Sequence, residues 1–266
     1  MSKSIVWKTT LVLVSLCLLG IWLVKTPEGL LGKADAVGYA ICHRLPSHSF
    51  QIHDRPSSLC ARCTGQYLGV VVGLTYLGVV ARRRSGLPHW TVLILLTGLF
   101  FAYLVDALNS LIHYYPELVE YTLYQPRNEY RFLSGMGMGL TISVLVHILF
   151  QRTVWKRFLP QPVLRGFRPW VGFFLSGGLV AAAVLSGEPW ILTPLTLVSV
   201  LGVVGLLTLL YALIWIIFFG LENRSDQLRE IIWPLVGGFA TALLQIGGMD
   251  LLRFGLTGTW SGFTFG

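Results

Sequence analysis

The sequence predicts an all-α fold, a polytopic membrane bundle of about seven transmembrane helices, and three observations support this prediction. Only 12% of the 266 residues are charged and 54% are hydrophobic, so the charged fraction is about half that of a soluble domain. The mean hydropathy is +0.68. Seven stretches approach the length of about 20 apolar residues that a helix needs to cross a hydrocarbon core of about 30 Å. This composition excludes a disordered chain, a coiled coil and an ordinary water-soluble enzyme.

The predicted spans follow one another along a single membrane domain, residues 1–266. They cover approximately Thr9–Val24, Thr64–Ala81, Trp90–Asn109, Arg131–Phe150, Pro169–Ser186, Leu195–Gly220 and Ile231–Leu252. The first span follows Lys3 and Lys8 in the manner of a signal peptide. Because no small-x-small cleavage site follows it, we interpret it as an uncleaved first helix.

The distribution of charge predicts the orientation of the bundle. With the N-terminus in the cytoplasm, the inner segments hold 12 basic and 3 acidic residues, and the outer segments hold 8 basic and 9 acidic residues. The run Arg82–Arg84, between the second and third spans, contributes most. Since cytoplasmic loops are rich in Lys and Arg, we expect a multi-pass protein of the cytoplasmic (plasma) membrane with its C-terminus outside. The net charge of +8 therefore reflects topology, and we expect the lipid bilayer as a partner and no nucleic acid.

The longest connection, residues 25–63, contains three of the four cysteines. Its potential metal ligands are Cys42, His43, His48, His53, Cys60 and Cys63. Ser57 and Ser58 are predicted N-caps of the second helix, which would place Cys60 and Cys63 on one face of its first turn. A C-x-x-C pair at a helix start is typical of a metal site or of a reactive thiol.

We favour a zinc site in this loop. Zinc takes four protein ligands in structural sites, and three plus water in catalytic sites. The predicted ligands are Cys42, His43, Cys60 and Cys63, with the choice among the three loop histidines left open. The main alternative is a disulfide between Cys42 and either Cys60 or Cys63, because the expected orientation places the loop in an oxidising compartment. Free or redox-active thiols are the third alternative.

The loop also resembles a known family. The matching segments are Ile41–Arg44, Ser49–Phe50, Leu59–Gly65 and Tyr67–Gly69. They resemble the hallmark C-H-R/Q-x-P-x-R-S-F … L-C-x-R-C-T-G-x-Y-x-G of a group of predicted prokaryotic integral membrane proteins known only as a domain of unknown function. A looser downstream element of that family, an Asp followed by N-x-x-R-x-x-S-G, is similar to Asp106 and Asn128–Gly135.

The resemblance covers about residues 36–150, so we interpret this part as the functional half and 151–266 as three further transmembrane helices. It implies an integral membrane protein with a Cys/His site and supplies no reaction. His48 stands where the family usually has a basic residue, so the resemblance does not make His48 a ligand.

Polar residues within the spans predict a second feature near the cysteines. Asp106, Asn109 and His113 fall on one stripe of the third helix, and charges within spans tend to mark function. Arg131 and Ser134 begin the fourth helix at the same level.

Small residues predict which helices pack closely. They are Gly65, Gly69 and Gly73 in the second span and Gly135 and Gly139 in the fourth. Such spacing allows close helix approach, which would bring Arg131 near the cysteine turn. Two interpretations of Asp106 and Arg131 remain open. They form an ion pair that fixes packing, or they line a pocket in which Arg131 binds an anion and Asp106 acts as base or ligand.

Three functions from different classes remain. The first is a zinc-assisted membrane hydrolase or transferase acting on a lipid-linked or anionic small-molecule ligand, with Asp106, Arg131 and His43 as catalytic residues. The second is a non-enzymatic transporter, receptor or assembly protein braced by a zinc or disulfide knot. The third is a thiol oxidoreductase that uses Cys60 and Cys63. The sequence contains no H-E-x-x-H or G-x-S-x-G motif to decide between them.

Overall fold

A computed structural model describes residues 3–261 and shows a bundle of α-helices. Within these residues the helices are α1 (Lys3–Lys25), α2 (Gly29–Ile41), α3 (Ala61–Val80), α4 (Trp90–Tyr114), α5 (Asn128–Val154), α6 (Phe167–Leu185), α7 (Pro189–Phe218) and α8 (Ile232–Thr257). All but α2 belong to seven stretches that are long and apolar enough to cross a membrane. The prediction of an all-α polytopic bundle with seven transmembrane helices is confirmed.

Short strands brace the two ends of the bundle. β1 (Gln51–Ile52) and β2 (Arg55–Pro56) form an antiparallel hairpin between α2 and α3. At the opposite end, β3 (Arg84–Gly86) pairs in parallel with β4 (Leu159–Pro162), so the loops after α3 and α5 are joined. We call the end that carries residues 42–63 the cysteine end.

Helix α2 lies within the long connection between the first two predicted spans. Its 13 residues span about 20 Å, which is too short to cross a bilayer, and it packs against α7 and α8. Asp35 on α2 holds the rest of the loop, because it pairs with Arg44 at 3.2 Å and with Arg55, and accepts a hydrogen bond from Ser58 Oγ at 2.6 Å. The long connection is therefore an ordered structure.

Helices α3 and α5 pack backbone against backbone, as their glycines predicted. A Cβ atom on Gly65 would collide with the carbonyl oxygen of Phe132, and one on Gly139 with that of Gln66. The missing side chains let the two helices approach more closely than ordinary residues allow. This contact fixes the start of α3 against the start of α5.

Candidate metal centre and the neighbouring pocket

Three cysteines meet at the cysteine end. The sulfur atoms of Cys42, Cys60 and Cys63 all lie within 4.8 Å of one another. Cys42 and Cys60 are buried, and the backbone N–H of Cys60 donates to Cys42 Sγ at 3.3 Å. All four cysteines of the chain are free thiols in the structure. We call these three residues the cysteine cluster.

Two helix ends position the cluster. Cys42 is the extended residue that follows α2, Cys60 is the N-cap residue of α3, and Cys63 lies in the first turn. The prediction that Ser57 or Ser58 caps this helix is wrong. Ser57 Oγ donates to the Leu59 carbonyl and Ser58 Oγ donates to Asp35, so both hydroxyls stabilise the loop.

Because the three thiols are so close, hydrogen bonds between them shift their pKa values. Hydrogen bonds from the thiols of Cys60 and Cys63 lower the pKa of Cys42 well below its usual range, and the Cys42 contact raises the pKa of Cys60 to about 12. Hydrogen bonding among the sulfurs therefore favours the thiolate form at Cys42 and the thiol form at Cys60. A cation is what would stabilise further deprotonation, because it offsets the repulsion between thiolates.

An arginine from the last helix holds the backbone around Cys42. Arg253 on α8 donates to the carbonyl oxygens of Tyr39 at 2.5 Å, Cys42 at 2.7 Å and His43 at 3.3 Å. Its guanidinium also lies over the Tyr39 ring, 4.1 Å from the centroid. Sequence reasoning did not assign this role, because the contact joins residues more than 200 positions apart.

Two of the three loop histidines, His43 and His48, lie close enough to Cys42 to interact with it electrostatically. Among the described residues, the group of potential ligands within 4.8 Å contains no histidine, so three of the four predicted ligands come together and His43 does not join them. The ring nitrogens of His43 and His48 lie 3.3 Å apart. Burial lowers the pKa of His43, and it lowers that of His48 to about 4. His53 is exposed in the turn between β1 and β2.

Asp106 is the centre of a buried polar network next to the cluster. Arg62, which lies between Cys60 and Cys63 in the sequence, donates from Nε to Asp106 Oδ2 at 3.0 Å and also pairs with it through Nη2. Tyr124 Oη donates to Asp106 Oδ1 at 2.9 Å, and Ser134 Oγ donates to Oδ2 at 3.2 Å. An ion pair between Asp106 and Arg131 was one of the two interpretations left open, and in the structure the partner of Asp106 is Arg62 instead.

Arg131 hydrogen-bonds to Asn128 at the start of α5 rather than to Asp106. Its Nη1 donates to Asn128 Oδ1 at 2.9 Å, and Asn128 Nδ2 donates to the Ser47 and Ser49 carbonyls at 3.2 and 3.3 Å. These bonds tie the start of α5 to the cysteine-bearing loop. Arg131 is buried, and within residues 3–261 its Nε has no acceptor.

A cavity of about 530 Å³ opens beside Asp106, between α4 and α5. It is lined by Leu99, Ala102, Asp106, Tyr124, Tyr130, Leu133 and Ser134. This cavity has mostly apolar walls with a few polar groups and is not lined by Arg131, so it differs from the polar pocket around Asp106 and Arg131 that was one of the two interpretations. Arg62 is a charged residue at the start of an apolar helix. This position is the sequence signal that could have identified it as the partner of Asp106.

Comparisons with known proteins agree with this architecture. A family model described as a predicted membrane protein, DUF2085, matches residues 42–145. An uncharacterised protein of Methanocaldococcus jannaschii is 30% identical over 125 residues, which are 46% of this chain and 72% of that protein. This chain belongs to the DUF2085 family.

A second relative, an uncharacterised protein of Methanothermobacter thermautotrophicus, is 27% identical over 109 residues, 41% of this chain and 86% of that protein. No solved structure matches the chain. The DUF2085 segment, residues 42–145, contains the cysteine cluster, Arg62, Asp106 and Arg131, whereas Arg253 lies outside it.

Proposed function

We propose that this protein is a zinc-binding membrane hydrolase or transferase that acts on a lipid-linked or anionic substrate. The main support for a zinc site is that three cysteine sulfurs, contributed by two separate segments, lie within 4.8 Å of one another. Sulfur ligands bound about 2.3 Å from one zinc lie about 3.8 Å apart in tetrahedral geometry, so small side-chain adjustments suffice. Soft thiolate donors favour zinc over magnesium or calcium.

The ligand count supports a reactive rather than a closed site. Within the described residues no fourth Cys, His, Asp or Glu belongs to the group. Three protein ligands with an open position are typical of catalytic zinc, which activates water or polarises a phosphoryl or carbonyl oxygen. His43 and His48 are adjacent, and burial lowers the pKa of both rings, which favours the neutral imidazole with one nitrogen as a hydrogen-bond acceptor.

The cavity beside Asp106 supports an amphipathic substrate. Leu99, Ala102 and Leu133 offer an apolar wall, and the hydroxyls of Tyr124 and Ser134, both oriented by Asp106, offer polar contacts. Arg131 lies outside this lining, so an anionic group would have to extend beyond the cavity to meet its buried Nε–H. In this proposal Asp106 orients hydroxyls and holds Arg62, and it accepts a proton only when a substrate group displaces one of them.

Metal analysis of the purified protein tests the zinc site. In detergent, at neutral pH and under reducing conditions, we expect about one zinc per chain. Cys42→Ser, Cys60→Ser and Cys63→Ser should each lose most of it, because a hydroxyl is a poor replacement for a thiolate ligand. Cys17→Ser is the matched control, because Cys17 is an exposed cysteine on α1. A wild-type protein without stoichiometric metal, or a Cys42→Ser variant with full zinc content, contradicts the proposal.

Cobalt substitution distinguishes an open site from a closed one. We expect the Co²⁺-substituted protein to change its visible absorption when inorganic phosphate is added, since an exchangeable position accepts an outside ligand. His43→Ala and His48→Ala should leave the sulfur-to-cobalt charge-transfer bands in place. An unresponsive spectrum, or loss of the tetrahedral spectrum in His43→Ala, would indicate a fourth protein ligand and a bracing role.

We further propose that the cysteine end faces outward, as the basic residues predict. In a Cys17→Ser background, a membrane-impermeant maleimide should label His53→Cys in intact cells and Arg82→Cys only after permeabilisation. Both positions are exposed and lie at opposite ends of the bundle. The reverse pattern of labelling would show that the cluster faces the cytoplasm.

A further inference from the structure

A second cavity, of about 460 Å³, lies between α1 and α8 and shares no residue with the cavity at Asp106. Most of its lining is apolar, including Leu18, Ile21, Leu244 and Leu251. Its volume is within the range of small-molecule sites, about 300–1,000 Å³. Both helices belong to the predicted membrane spans, so the molecules most available to fill it are those dissolved in the bilayer.

One carboxylate interrupts the apolar lining. Asp250 is 3% exposed, and its Oδ2 accepts a hydrogen bond from Trp22 Nε1 at 2.9 Å. Its other oxygen, Oδ1, is buried and has no hydrogen-bond donor among residues 3–261. A buried acceptor without a donor is costly, and an ionisable residue within a span tends to mark a functional site.

The surrounding charges limit what can meet this oxygen. Lys25, the last residue of α1, lines the same cavity. Arg253 lies three residues beyond Asp250 on α8 and donates to backbone carbonyls at the cysteine end. Because Arg253 already acts on Asp250 as a cation and Lys25 lines the same cavity, we take a neutral hydroxyl, which adds no further positive charge, as the donor to Asp250.

The geometry points to a lipid-binding site in this cavity: it accommodates an amphipathic bilayer molecule with an apolar chain and a hydroxyl head group that donates to Asp250 Oδ1. The glycines of α8 contribute the space. Gly248 lines the cavity, and a Cβ atom built there meets nothing within 4 Å. A larger residue at this position therefore fills the cavity without a collision at its first carbon.

Photolabelling with a long-chain alcohol tests the site. The probe is a hexadecan-1-ol that carries a diazirine in its chain, added to the detergent-purified protein, and the labelled peptides are identified by mass spectrometry. We expect saturable labelling of α1 and α8 that unlabelled hexadecan-1-ol suppresses. The hexadecyl methyl ether, which lacks the donor, should compete about tenfold less well, since it cannot supply the hydrogen bond to a carboxylate.

Variants provide the second arm of this experiment. Asp250→Asn should lower labelling about tenfold, because an amide offers a competing donor where the carboxylate oxygen accepts. Gly248→Leu should also reduce labelling by filling the cavity, whereas Gly255→Leu on the same helix, which has open space and lies outside the cavity, should not. Gel filtration and helix content verify folding. Equal competition by the ether, tighter binding of hexadecylamine, or undiminished labelling in folded Gly248→Leu overturns the inference.

Discussion

Replacement of Gly139 by alanine is expected to destabilise the protein by about 3 kcal/mol, because the new methyl group has no space. A Cβ at this position collides with the Gln66 carbonyl oxygen and lies 2.9 Å from the Gly69 Cα atom. These are backbone atoms, which cannot rotate away as a flexible side chain can. The two helices must therefore separate, and a membrane interior offers little hydrophobic compensation for the lost packing.

Thermal unfolding in detergent, or reversible unfolding in bicelles, measures this effect. Gly78→Ala is the matched control, because Gly78 is also a glycine of a predicted span and a Cβ there meets nothing within 4 Å. Since alanine favours helix over glycine by about 1 kcal/mol, the control should be unchanged or slightly more stable. Equal stabilities for Gly139→Ala and Gly78→Ala would show that α3 and α5 do not pack backbone against backbone.

The second large effect is expected from Asp106→Ala, which should cost about 3–5 kcal/mol of unfolding free energy. The substitution leaves the guanidinium of Arg62 without its ion pair and removes the acceptor of Tyr124 Oη, whereas Ser134 Oγ keeps the Arg131 carbonyl at 3.0 Å. Asp106 is almost fully buried and the Arg62 side chain is 17% exposed, so water compensates only weakly.

A double substitution separates the unpaired charge from the loss of packing. Arg62→Met with Asp106→Leu removes both charges, and we expect it to be more stable than Asp106→Ala alone. Arg55→Ala is the control for a more exposed ion pair. The side chain of Arg55, the partner of Asp35, is 38% exposed, so its loss should cost about 1 kcal/mol or less. If Asp106→Ala lowers the unfolding free energy by no more than Arg55→Ala does, the Asp106–Arg62 ion pair does not contribute to stability as a buried pair should.

The parts of the fold that could be predicted depend on local sequence. Seven apolar stretches of sufficient length are visible without knowing how they pack, and the glycines of α3 and α5 indicate the close helix pair by their spacing. The three cysteines could be expected to meet for a similar reason, since Cys60 and Cys63 are neighbours on one turn and Cys42 precedes them in the same loop.

The ion-pair partners and helix caps could not be predicted, because they depend on the direction in which individual side chains extend. Arg62 and Arg131 both lie near Asp106 in the expected topology, and only the direction of each side chain decides that Arg62 is the partner. Ser57 and Ser58 have the composition of N-caps, but the hydroxyl of Ser58 is engaged by Asp35, 23 residues earlier. Helix α2 was not predicted because its 13 residues do not contain an apolar stretch long enough to span a membrane. Tertiary packing makes them helical.

The hydrogen bonds of Arg253 connect the family segment, residues 42–145, to the last helix of the chain. Residues 42–145 contain all three thiols, yet the backbone of the first of them is held by a side chain 211 positions further along. In this chain the matched segment is thus held in part by a residue outside its own boundaries. A fragment cut to the family boundaries would begin at Cys42 itself, without α2 before it or α8 behind it. The three thiols and the arginine that supports the first of them therefore belong to different parts of the sequence.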